Sequence, residues 1–154
     1  MAEKLDHVTE GSIKLLADWF YEKIRQDPDL SPVFEHAIGK GDKRWQSPLN
    51  KMYDFWSSIM LTSGRYHGTP MQKHNDLPPF DLSLFERWLD LFAQTAKEIH
   101  TDDMVQRYQT KSTNIAKSLT FALTPQLWRS AGSRLQLNCF RMGRAHFCFY
   151  NTWT

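Results

Sequence analysis

Residues 66–80 read Tyr66-His67-Gly68-Thr69-Pro70-Met71-Gln72-Lys73-His74-Asn75-Asp76-Leu77-Pro78-Pro79-Phe80. Proline cannot continue a helix, and the residue before a proline is pushed out of the helical region. The Gly-x-Pro turn and the Leu-Pro-Pro stop therefore confine any helix here to barely two turns, and His74 lies on it. Met71 sits one turn before the histidine, with Leu77 and Phe80 shortly after. A solvated surface histidine does not require two stiff breaks around it, so the imidazole is expected to face an apolar interior.

Outward from this segment the pattern is helical. Ile13, Leu16, Ala17, Phe20 and Ile24 recur at helical spacing with Tyr21 on the same face, and Asp27-Pro28 ends that run. An irregular passage is expected through Leu30, Pro32, Val33 and Phe34, followed by a polar loop at Gly39 and Gly41. Leu49, Met52, Trp56 and Ile59 form a second stripe, stopped near Gly64. Its start is expected at Ser47-Pro48, serine as cap and proline in the first turn, where the missing N–H is not needed. Phe85, Trp88, Leu89, Phe92 and Ile99 form a third stripe, with Ser83 and Glu86 spaced as a capping box. Thr101-Asp102-Asp103 opens a fourth, which is expected to bury Met104, Tyr108, Ile115, Leu119 and Ala122. No period-2 alternation supports strands. The fold class is all-α.

The chain has 154 residues, 41% hydrophobic and 14% aromatic, which suits one domain with a real core. All 17 acidic residues and 15 of the 19 basic ones fall in residues 1–124, which carry −2, while 125–154 carry +4. A nearly neutral main domain argues against a phosphate-binding face, so nucleic acid is not an expected partner. The charged start MAEKLDHVTEG lacks the apolar run of a signal peptide, and no stretch approaches the ~20 apolar residues that span a bilayer. With both cysteines confined to the last stretch, a cytoplasmic protein with no membrane contact for the main domain is expected.

The domain reading is 1–124 as the helical domain and 125–154 as an atypical basic-aromatic extension. Arg129, Arg134, Arg141 and Arg144 occur there without lysine, acid or a sustained helical stripe. It is expected to be poorly ordered, or a terminus altered by cloning or a frame change. A basic-aromatic arm for membrane or protein contact is the functional alternative. Cys139, His146 and Cys148 match no zinc spacing of weight.

Helices closing over the neighbours of His74 would leave a ring nitrogen facing something that needs a ligand. Iron in a flat aromatic macrocycle meets that need, because haem is commonly held by one proximal histidine. Singly, Tyr21, Phe34 and Trp88 read as core aromatics. Taken in order, several motifs resemble the group III truncated haemoglobins over residues 12 to 123. They are Phe20-Tyr21-Glu22-Lys23, Asp27-x-x-Leu30-x-Pro32-Val33-Phe34, Ala37-Ile38-Gly39 and Phe55-Trp56. Gly64-x-Tyr66-x-Gly68-x-Pro70-x-x-x-His74, Leu77-Pro78-Pro79-Phe80 and Phe85-x-x-Trp88-Leu89-x-Leu91-Phe92 continue the series.

The resemblance implies a two-over-two helical sandwich around haem b. By position it makes His74 the proximal iron ligand, Tyr21 and Trp88 distal polar residues, and Phe34 a ring packed on the haem. Met52 and Lys73 are expected at the cofactor too, Lys73 either pairing with a propionate or simply solvated. The other ring nitrogen of His74 should donate to a backbone carbonyl or similar acceptor. One departure stands out. The family often has a histidine three residues after the tryptophan corresponding to Trp45, where this chain has Pro48, which offers neither donor nor ligand. His7, His36, His67, His100 and His146 read as solvated.

The function this implies is binding of dioxygen and other diatomic gases at a histidine-ligated iron, with tight distal hydrogen bonding. An alternative is a haem redox enzyme, oxidising nitric oxide to nitrate or reacting with peroxide. It would depend on an external reductase, since the chain has no Gly-x-Gly-x-x-Gly. A haem-free helical interaction module is the third reading.

Overall fold

The computed structural model describes residues 3–130, with side chains through Thr124. Among them run six helices: α1 Glu10–Gln26, α2 Ser31–Ile38, α3 Asp42–Leu61, α4 Pro70–Asn75, α5 Leu84–Ile99 and α6 Asp102–Ser130. The all-α expectation holds, and β pairing among the described residues is limited to one isolated bridge between Leu5 and His100. The basic-aromatic segment beyond Ser130, with Cys139, His146 and Cys148, lies outside the described residues.

Thr9 caps α1 reciprocally. Its Oγ1 accepts from the Ser12 N–H at 3.1 Å, and the Ser12 hydroxyl oxygen accepts from the Thr9 N–H at 2.9 Å. The helix buries Ile13, Leu16, Ala17, Phe20, Tyr21 and Ile24, the stripe read from sequence, and Asp27 leaves it in extended geometry.

Three local readings are corrected. The passage through Pro32, Val33 and Phe34 is a helix, α2, with proline in its first turn where no N–H is required. Helix α3 begins at Asp42 and not at Ser47, so Pro48 lies inside it. Tertiary anchoring by Trp45, 2% exposed, outweighs the local proline signal there. The Ser83–Glu86 capping box does not form. Instead the Asp81 carboxylate takes the Ser83 N–H at 2.9 Å, and Ser83 already has helical geometry (φ −60°, ψ −20°). In α6, Tyr108 and Leu119 are buried as expected and Met104, Ile115 and Ala122 only half so. Val105, Ala116 and Leu123 complete the inner face.

Helix α1 packs on α3 and α5, α5 packs on α6, and α4 lies against α6. The result is a two-over-two sandwich. Its centre is aromatic. Phe92 is stacked between Trp56 (centroids 4.7 Å, 18°) and Trp88 (5.4 Å, 5°), and Phe20 meets Tyr21, Trp88 and Phe92 edge-on.

His100, expected to be solvated, is fully buried against Tyr108, and neither ring nitrogen has a hydrogen-bond partner among the described residues. The backbone of Leu5 runs beside it, donating to Ile99 O and accepting from the Thr101 N–H, each at 2.9 Å. Burial holds the imidazole pKa below its ordinary 6.5. The unfolded chain therefore takes the proton first. The contribution of this group is whole above about pH 6.5 and is lost as the pH falls below it. His100→Phe should flatten the dependence of the urea midpoint on pH between about 7 and 5. Equal slopes in parent and variant would exclude His100 as the source.

Candidate functional site

Between α1, α2, α3, α4, α5 and α6 lies a cavity of about 230 Å³ accessible to the centre of a water molecule. One water needs roughly 10–15 Å³ by that measure, so the space suits a much larger guest. Tyr21, Phe34, Met52, Lys73, His74 and Trp88 all line it. The sequence brought these six from five different helices, and the fold collects them at one site.

On the α4 side, Thr69-Pro70 starts the helix, and bonds from Lys73 N–H to Thr69 O and from Asp76 N–H to Gln72 O hold its short span. His74 Nδ1 lies 2.7 Å from the Pro70 carbonyl oxygen. A carbonyl only accepts, so Nδ1 carries the hydrogen and Nε2 keeps its lone pair. Burial lowers the pKa of the ring from 6.5, which favours the neutral form, although the Pro70 bond acts in the opposite sense. A neutral imidazole with one nitrogen fixed and the other free is the form that ligates a metal. The acceptor, open in the sequence, is Pro70. Lys73 is exposed at the rim.

Across the cavity, Tyr21 projects from α1, and burial alone pushes its phenol pKa up, so it stays protonated as a donor. Trp88 projects from α5, braced by Phe92 and Phe20. Neither the Tyr21 hydroxyl nor the Trp88 indole N–H has a hydrogen-bond partner among the described residues. Helix α3 lines the cavity with Pro48, Leu49 and Met52, which offer no donor, and with Trp45 and Trp56.

Phe34 is held by two rings, stacked on Trp45 (6.3 Å, 22°) and edge-on to Tyr21 (6.1 Å). Trp45 is itself tied by its indole N–H to Gly39 O at 3.1 Å. Sequence reading passed over Trp45 and Tyr66 as parts of the site, though both line the cavity. The Tyr66 ring lies over Gly68, where a Cβ would clash with the hydroxyl end of that ring.

The donor set fits a metal that arrives with its own planar ligand. No group of three or more His, Cys, Asp or Glu side chains converges as a metal site among the described residues. One neutral histidine facing an aromatic-walled slot does fit haem. No helix among the described residues is long and apolar enough to cross a membrane.

No family model matches the chain. It is 41% identical over 101 residues to the group 3 truncated hemoglobin ctb of Campylobacter jejuni, covering 66% of this chain and 80% of that one. Its fold is similar to the crystal structure of a group III truncated hemoglobin from Campylobacter jejuni. The TM-score is 0.76 at 34% identity, over 85% of this chain and all of the other.

Trp45→Phe tests the support behind Phe34. It keeps a ring for the stack but strands the Gly39 carbonyl, and should cost about 1–3 kcal/mol in denaturant unfolding. An unchanged midpoint would mean that the indole N–H bond contributes nothing to this wall.

Proposed function

The chain belongs to the group III truncated haemoglobins, and on that premise we propose that it binds haem b through His74 and holds dioxygen or another diatomic gas between Tyr21 and Trp88. Haem supplies the iron at which the gas is taken up; the side chains decide how it is held. The observation that carries the reading is that Tyr21 and Trp88, two donors without a partner among the described residues, line the same cavity as a histidine whose Nδ1 is tied to Pro70 at 2.7 Å.

The Pro70 bond fixes the tautomer and plane of the His74 ring, so Nε2 is presented without a search over rotamers. Phe34 and Met52 offer apolar contact to a flat ligand, and Lys73 at the rim offers a cation to an acidic substituent. The Tyr21 hydroxyl and the Trp88 N–H, lining the same cavity as His74, would donate to a gas that draws negative charge once held there. A hydrogen bond to a charged acceptor is worth roughly 1.5–3 kcal/mol. At about 1.4 kcal/mol per tenfold, two such donors slow ligand loss by about a hundredfold or more. At Pro48, Leu49 and Met52 the α3 wall adds no further donor. Tight retention suits a protein that stores a gas or reacts with it better than one that releases it readily.

His74→Gly should abolish stable haem retention while leaving most of the helix content, and added imidazole should restore part of the binding. Normal haem stoichiometry with an unchanged ferrous spectrum in that variant would remove His74 from the iron.

Tyr21→Phe deletes one hydroxyl at constant ring volume, whereas Trp88→Phe removes the indole N–H and also leaves a cavity. Each should speed dioxygen dissociation about tenfold or more if it supplies ~1.5 kcal/mol. The two need not add, because a hydroxyl can reorient when its neighbour is lost. Stopped-flow dissociation at the parent rate in both variants would sink the distal assignment.

A further inference from the structure

The turn after α1 carries Asp27, whose side chain is 3% exposed. Three hydrogen bonds converge on its carboxylate: Oδ1 accepts from the N–H groups of Asp29 and Leu30, each at 3.0 Å, and Oδ2 accepts from Arg87 Nε at 2.8 Å. Arg87 Nη2 lies 2.7 Å from the same oxygen as an ion pair. Burial alone would raise the carboxyl pKa; the Leu30 N–H and Arg87 together outweigh it and hold the group ionised. Arg87 stands in the first turn of α5, immediately before Trp88. The pair thus joins the helix end that follows Tyr21 to the helix start that carries Trp88.

We propose that Asp27 and Arg87 are positioning residues that set how far the Trp88 indole reaches into the cavity relative to the Tyr21 hydroxyl. Three observations lead there. Trp88 lies parallel to Phe92 at 5° and edge-on to Phe20, contacts that fix its plane but carry no directional tie to the turn after α1. The charge-assisted bond from its chain neighbour Arg87 to Asp27 supplies that tie. The N-terminus of α5 has no side-chain cap bond from Ser83, so its first turn depends on other anchors. Arg87 supplies one, with two donors in a rigid planar fork that lysine cannot reproduce.

The inference rests on the reading that Trp88 donates to the bound gas, and the test separates the two. The indole N–H resonances of the carbon-monoxide-bound holoprotein are recorded with ¹⁵N labelling, Trp88 being identified by its loss in Trp88→Phe. Arg87→Gln is the milder variant, because Asp27 keeps its two backbone donors; Asp27→Asn is the second. Both should displace the Trp88 resonance while leaving that of Trp19, which is partly exposed on α1, in place. Both should also speed dioxygen dissociation several-fold, with Arg87→Lys falling between Gln and parent. A Trp88 resonance at its parent position in Arg87→Gln overturns the proposal, even if the melting temperature falls. A displaced resonance together with parental dissociation in Trp88→Phe upholds the placement and removes the gas contact instead.

Discussion

Phe92 is gripped between Trp56 of α3 and Trp88 of α5, with Phe20 of α1 set edge-on against it and Trp88 alike. These rings keep three helices at a spacing that leaves room beside them. The walls of that space are held by contacts among the rings themselves. Parallel stacks and edge contacts do this bracing well, since each ring packs on its neighbours and not into the gap.

The same economy governs the polar groups. Asp27 has three hydrogen bonds and the Arg87 ion pair, Trp45 donates its N–H to Gly39, and Lys73 stands in solvent at the rim. Among the described residues that line the slot, Tyr21, Trp56, Tyr66 and Trp88 carry donors without a protein acceptor, beside one imidazole whose Nδ1 is tied to Pro70. In a space of low polarity such donors act more strongly than in water, and would be a liability without an acceptor.

Much of this was legible in the sequence because it is local. The prolines around residues 70–79 dictate a short α4, and the stripe from Ile13 to Ile24 dictates the buried face of α1. The six expected site residues meet because ordered motifs, more than any single spacing, carried the family likeness. What escaped is non-local. The start of α3 depends on Trp45 stacking with Phe34 on a different helix. His100 is buried because the segment at Leu5 returns to cover the α5–α6 turn, and nothing near His100 announces that. Asp27 and Arg87 are ordinary charges in sequence, 60 positions apart, until the fold puts them 2.7 Å from each other.

Pro48 shows how such non-local anchoring shapes the site. Inside a helix it leaves the Arg44 carbonyl without its usual donor, and isolated helices lose about 3 kcal/mol to such a residue. The turn before it is held from outside. Trp45 is buried, the Arg25 guanidinium lies 5.2 Å from the Trp45 ring, and Arg25 also pairs with Asp42 at 2.7 Å. With α3 secured in this way, the residue facing the cavity can be a proline that neither donates nor ligates. Under the proposed function, Tyr21 on α1 and Trp88 on α5 hold the gas, with no contribution from position 48 of the wall. Two donors on separate helices act together only while the distance between those helices is kept. The strength of the site becomes a property of interhelical spacing, and so of Phe20 and of the Asp27–Arg87 pair, neither of which touches the gas.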